Sequence, residues 1–157
     1  MKTKAIAVII LILSSMFCFS QQRTTVYKAA VFNGYDNRNT VLSIQTDETG
    51  RYFINSKYED DGTVIGDVEI GVNRDEAVKT LKRMDYFVSH QEITDMSLVT
   101  PSGILIEFFK TSETVYYEEG GELTSYDFFL TYIADEENNC FEIPDAFVSS
   151  ARRHLKQ

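Results

Sequence analysis

The chain contains no tryptophan, and only two prolines and eight glycines occur among its 157 residues. The scarcity of proline and glycine excludes collagen-like and Pro/Gly low-complexity proteins. Hydrophobic residues nonetheless make up 43% of the chain and aromatic residues 13%. Intrinsic disorder is therefore excluded as well, because disordered chains lack the apolar residues that build a core.

Basic residues are also scarce, with 15 Lys and Arg against 24 Asp and Glu, for a formal net charge of −9. A nucleic-acid partner is not expected, because such proteins carry clustered Lys and Arg. An acidic protein instead attracts positively charged partners over distance. The charge therefore favours a protein with a basic surface as the partner.

The single long apolar run lies at the N-terminus, over residues 5–13, after Lys2 and Lys4 and before a stretch of smaller residues. This order is typical of a secretory signal peptide. The run is shorter than the roughly 20 residues that span a bilayer. The sequence predicts a cleaved signal over residues 1–20, export to the periplasm or the outside, and no membrane association after cleavage.

Cleavage after Ser20 would remove two lysines and Cys18, leaving 137 residues with a net charge of −11. Cys140 would then be the single cysteine, so we expect no intramolecular disulfide in the domain of residues 21–157. Two alternatives stay open. The segment could remain as a membrane anchor, or Cys18 could be lipidated, although Phe17 before it fits a lipoprotein signal poorly.

Period-two alternation of apolar and polar residues predicts antiparallel strands through most of the remaining chain. The clearest alternation covers residues 64–72, which indicates a strand with one buried and one solvated face. The other predicted strands are 24–32, 40–46, 52–56, 96–100, 103–110, 114–119, 125–134 and 140–143. Turn-forming residues in 33–39 and 47–50 connect the first of these strands.

Two segments change to helical periodicity. Asn73 and Glu76 have the spacing of an N-terminal capping box, and an apolar stripe follows, which predicts a helix over about residues 74–87. Pro144 and a second stripe that ends at Leu155 predict a C-terminal helix over about 144–156. The sequence therefore predicts one α+β domain with an antiparallel sheet of about seven to nine strands and these two helices.

Residues 104–109 and 128–133 carry apolar side chains on both faces, which predicts central strands covered on each side, or strands with one face against a partner. Glu107 interrupts the first of them. In a central strand it could be a partly buried catalytic carboxylate with a raised pKa. The interpretation we favour is instead a surface charge that prevents edge-to-edge pairing or meets a cation on the next strand.

No Gly-x-Ser-x-Gly elbow, phosphate loop, His-Glu-x-x-His or Cys-x-x-Cys motif occurs. The catalytic candidates are therefore limited to Glu107, Cys140 and His90. A Cys140–His90 pair could assemble in space. The ordinary interpretations are a small buried cysteine and a solvated loop histidine.

The acidic run from Asp135 begins like a calcium-binding EF-hand loop, with Glu137 and Asn139 at alternate positions. Cys140 and Ala146 then stand where that loop needs Gly and Glu, so the match fails. We expect neither a metal nor another cofactor.

Tyr116, Tyr117, Glu118 and Glu119 are the candidate interaction surface, because tyrosine is frequent at binding sites. The ordinary interpretation of these tyrosines is cross-strand packing, since aromatic residues are common in β-sheets. We interpret the chain as a small, acidic, exported, non-catalytic binding module. One alternative is an assembly or structural component of the cell envelope. The other is a small exported hydrolase that uses Glu107 or Cys140.

Overall fold

A computed structural model describes residues 22–33, 38–137 and 139–157. The predicted signal segment with Cys18 and the central part of the predicted loop 33–39 lie outside the described residues. The elements are β1 (Thr24–Asn33), β2 (Arg38–Thr46), β3 (Tyr52–Tyr58), β4 (Val64–Gly71), α1 (Arg74–Ser89), β5 (Asp95–Val99), β6 (Leu105–Glu119), β7 (Glu122–Asp135), β8 (Cys140–Glu142) and α2 (Asp145–Leu155).

The first four strands form one antiparallel sheet in the order β1-β2-β3-β4. The turn between β2 and β3 is held by Asp47, whose Oδ1 accepts the N–H groups of Thr49 and Arg51 at 2.9 and 3.0 Å. Alternate side chains point into the core, as the period-two pattern predicts. Those on the buried face include Leu42, Ile44, Ile54, Val68 and Ile70.

The last four strands form a second antiparallel sheet, β5-β6-β7-β8. The prediction of separate strands at 103–110 and 114–119 was wrong, because β6 runs unbroken for 15 residues. Residues 111–113 stay paired with residues 128–130 of β7 without a bulge. The predicted antiparallel α+β fold is confirmed, with two four-stranded sheets and two helices in the described chain.

α1 begins where the capping pattern predicts. The Asn73 side chain accepts the N–H of Glu76 at 3.0 Å. The helix continues to Ser89, two residues beyond the predicted end. Its buried face contains the predicted apolar stripe together with Phe87.

The Glu76 carboxylate is 5% exposed and ties α1 to the turn between β5 and β6. Its Oε2 accepts the N–H of Val72 at 2.9 Å, and its Oε1 accepts the N–H and the hydroxyl of Ser102 at 2.9 and 2.8 Å. Burial alone would raise the pKa of Glu76. The hydrogen bonds to the ionised form outweigh burial and lower its pKa to about 2.

α2 follows Pro144, which is the N-cap rather than the first helical residue. The Arg74 guanidinium, at the start of α1, donates to the carbonyl oxygen of Leu155, the last residue of α2. Near the other end of α1, Asp85 accepts the Ser149 hydroxyl at 2.7 Å and pairs with Arg152. The two helices therefore pack antiparallel.

One continuous hydrophobic cluster joins both sheets and both helices. Gly66 in β4 permits a close approach between the sheets. A Cβ atom there would lie 2.1 Å from the Phe141 ring of β8. The core face of β6 and β7 enters the same cluster through Ile106, Phe108 and Ile133.

Candidate interaction surface

Glu107 is exposed, as the surface-charge interpretation expects. β6 does lie inside its sheet, and Glu107 faces Ser97 of β5 and Ala134 of β7. Its neighbours along the strand, Ile106 and Phe108, point into the core. Glu107 therefore lies on the opposite face, without the burial on which its catalytic interpretation depends.

Cys140 is a free, exposed cysteine at the first position of β8. Partial desolvation raises the pKa of its thiol, which disfavours the nucleophilic thiolate. His90 caps the C-terminus of α1, with Nδ1 2.7 Å from the Tyr86 carbonyl oxygen and its ring tilted against that of Tyr86, with ring centres 3.9 Å apart. Within the described residues, no hydrogen bond joins Cys140 to His90.

The acidic run at Asp135 forms a compact turn. Asp135 Oδ1 accepts the N–H groups of Glu137 and Asn139 at 2.9 and 3.0 Å, and Oδ2 accepts the Asn139 side-chain amide at 2.8 Å. No group of three or more His, Cys, Asp or Glu side chains in the described part of the chain is arranged to hold a metal ion.

A cleft of about 360 Å³ lies between the two sheets, and five of its nine lining residues are acidic. Arg23 pairs with Asp67 there at 2.6 Å and lies over the Phe53 ring at 3.5 Å. Burial raises the pKa of Glu69 in the same cleft. Because Arg23 already provides a positive charge for these carboxylates, we interpret the cleft as part of the packing between the two sheets and not as a binding site.

The outer part of the β6–β7 hairpin extends beyond the rest of its sheet. β5 pairs with β6 only as far as Phe109, and β8 pairs with β7 only over Tyr132, Ile133 and Ala134. Residues 111–130, which we call the arm, thus form a two-stranded ribbon. Gly120 and Gly121 close it with φ angles of +63° and +84°, as a type I′ hairpin turn requires.

The four residues predicted as an interaction surface all lie exposed near the end of the arm. Tyr116 and Tyr117 are adjacent in a strand, so their side chains point to opposite faces. The structure therefore does not bring the two rings together in one surface. Tyr117 instead packs edge-on against Tyr126 of β7, with ring centres 6.0 Å apart.

An apolar row that the sequence reasoning missed runs along one face of the hairpin, opposite the core. We call it the aromatic face, and its members are Phe109, Val115, Tyr117, Tyr126, Phe128, Leu130 and Tyr132. None of them is buried. Phe109 stacks on Tyr132 at 5.3 Å, and Tyr126 contacts Phe128 at 6.0 Å. The alternation of residues 126, 128, 130 and 132 was the signal that could have revealed this face.

Lys110 anchors the base of the arm to α1. Its Nζ donates to the carbonyl oxygens of Phe87 and His90 at 2.8 and 2.6 Å and lies 4.5 Å from the centre of the Phe87 ring. Burial lowers the pKa of this ammonium group. The arm is thereby fixed to the body on the face opposite its aromatic row.

None of the helices in the described ranges has the length and apolar character needed to cross a membrane. No model of a protein family matches the chain, and no curated protein or solved structure is significantly similar to it.

Proposed function

We propose that this protein is an exported, non-catalytic binding module that contacts its partner through the aromatic face of the arm. The observation that supports this proposal is the row of seven apolar side chains, none of them buried, on a hairpin that projects from the sheet. Contiguous exposed apolar surface of this kind marks interaction sites in soluble proteins. The signal-like residues 1–20 support export.

The energetics favour the same interpretation. Burial of one large apolar side chain contributes about 1.5–3 kcal/mol, so a partner that covers this row would gain substantial free energy. A two-stranded hairpin without further packing is only marginally stable in water. A partner would therefore also stabilise the arm itself.

The experiment places a photo-crosslinking amino acid at position 126 in one variant and at position 86 in another, in cells that produce the protein. Tyr126 and Tyr86 are matched controls because each is 54% exposed, but only Tyr126 lies on the arm. We expect an adduct of defined mass from position 126 alone, and its loss when Phe128→Ser is added.

Equal adducts at both positions, or none at position 126, would contradict the proposal. An adduct with the mass of two copies of this chain would instead support the alternative of a self-assembling envelope component.

A further inference from the structure

The charge on the arm is of one sign. Residues 111–151 contain no lysine, arginine or histidine, and the arm itself carries five carboxylates, at Glu113, Glu118, Glu119, Glu122 and Asp127. The nearest cation along β6, Lys110, is engaged with the carbonyl oxygens at the end of α1. The arm thus combines aromatic rings with acids that no base within it neutralises.

Several of these acids share the aromatic face. Glu113 lies directly opposite Phe128, and Glu119 directly opposite Glu122 at the tip. Glu107, at the base of the hairpin, lies on the same face. The three β6 glutamates recur every six residues, which corresponds to about 20 Å between successive carboxylates along a strand.

The facing pair Glu119 and Glu122 is unfavourable within the isolated protein, because like charges directly opposite in a sheet repel. Both side chains are exposed beside the Gly120–Gly121 turn. A positive partner would remove this repulsion. This pair therefore does not stabilise the hairpin in the isolated protein.

We infer that the partner of the aromatic face is a cationic polypeptide segment whose lysine or arginine side chains lie across the tyrosine rings and reach these glutamates; this rests on the proposed function. The aliphatic stems of such residues cover apolar surface while their charged ends remain solvated. Their cations are also attracted to aromatic faces. Rings and carboxylates on one face thus bind the two parts of the same side chain.

The negative charge of the arm favours this partner over other molecules that could cover the aromatic face. A second copy of the arm would place glutamate against glutamate, and nucleic acids and anionic membranes carry charge of the same sign as the arm. The basic partner favoured by the overall net charge would therefore bind the aromatic face of the arm.

The test uses two synthetic peptides of about ten residues, one alternating lysine with valine and one alternating glutamate with valine, titrated into the isotope-labelled protein. Backbone amide shifts report the binding site. We expect the lysine peptide to shift arm resonances, the glutamate peptide to shift none, and the affinity to fall roughly tenfold between low and high salt.

Two matched variants test whether the carboxylates of the arm, and not the overall negative charge, bind the lysine peptide. Glu113→Gln, Glu119→Gln and Glu122→Gln combined should weaken the lysine peptide roughly fivefold to tenfold, because each exposed charge pair contributes modestly. The control combines three exposed acids outside the arm, Glu59→Gln, Glu136→Gln and Glu137→Gln, and should bind as the wild type does. The same spectra verify that each variant is folded.

Equal binding of both peptides would overturn the inference, as would shifts confined to residues outside the arm. So would absence of binding by the lysine peptide. If the crosslink from position 126 persists in any of these cases, the binding proposal stands and only the cationic partner is wrong. If the crosslink is also absent, both proposals fail.

Discussion

Lys110 Nζ lies 2.8 Å from the backbone carbonyl oxygen of Phe87 and 4.5 Å from the centre of its ring. α1 has no basic residue in its last turn. The cation that complements the negative end of the helix dipole therefore comes from a strand about twenty positions away in sequence. One side chain thus caps the helix and fixes the base of the arm.

Lys110→Met should lower the free energy of unfolding by about 1–3 kcal/mol, because carbonyl groups at the helix end lose a charged donor. Urea denaturation at neutral pH measures the change. Lys82→Met provides the control, since Lys82 is exposed on the same helix, and should shift stability by less than about 0.5 kcal/mol. Equal effects of the two substitutions would show that the Lys110 contacts contribute nothing.

Glu76→Gln should destabilise the protein by about 2–3 kcal/mol at neutral pH, because an amide cannot accept all the hydrogen bonds that the carboxylate accepts. The pKa of Glu76 is lowered from 4.5 to about 2 on folding. Its stabilising effect is therefore complete above pH 4.5 and disappears as the pH falls toward 2.

Denaturation curves of wild type and Glu76→Gln should accordingly converge as the solution is acidified. Glu48→Gln, at an exposed turn position, provides the control and should change stability by less than about 0.5 kcal/mol at neutral pH. A constant difference between wild type and Glu76→Gln across the acid range would contradict the assigned pKa shift.

Tyr117→Ser combined with Tyr126→Ser should change the free energy of unfolding by less than about 1 kcal/mol, because the two residues are 41% and 54% exposed and lie outside the core. Ile133→Ala, in the same hairpin but fully buried, should cost about 2–5 kcal/mol. Thermal unfolding of both variants measures the contrast. If the tyrosine variant lost as much stability as Ile133→Ala, the aromatic face would be packed in the free protein. That result would remove the basis for the binding proposal.

The turn at the end of the arm requires left-handed backbone at both glycines. Gly120→Asn should retain the hairpin, because Asn-Gly is a preferred type I′ sequence. Gly120→Val should fray it, because a β-branched residue is strained at positive φ. Amide hydrogen exchange of residues 115–126 should be accelerated in the valine variant alone. Equal protection in the two variants would contradict the turn assignment.

Much of the fold could be predicted because it depends on local periodicity. The capping pair Asn73 and Glu76, the helical stripe after it and the period-two strands each repeat within a few residues. Local patterns do not specify strand length where polar residues interrupt them. Residues 111–113 therefore looked like a break, although they pair continuously with residues 128–130 of β7.

The candidate site was predictable only in part. The sequence identified the end of the hairpin through Tyr116 and Tyr117, but adjacency along the chain placed these rings on opposite faces. The aromatic face depends on register across two strands, which sets Tyr126 and Phe128 beside Val115 and Glu113. That register is fixed by the Gly120–Gly121 turn and by core packing at the base of the hairpin.

The sequence by itself determined the acidic charge, the scarcity of cysteine, the alternation of the strands and the start of α1, because these follow from composition and from contacts between near neighbours. Only the tertiary structure decided which face of β6 and β7 is covered. In the tertiary structure Glu107 is exposed, the aromatic face is not covered by another element, and Lys110 contacts the end of α1. The physical reason is that a strand has two faces, and only the packing of distant elements selects the one that is buried.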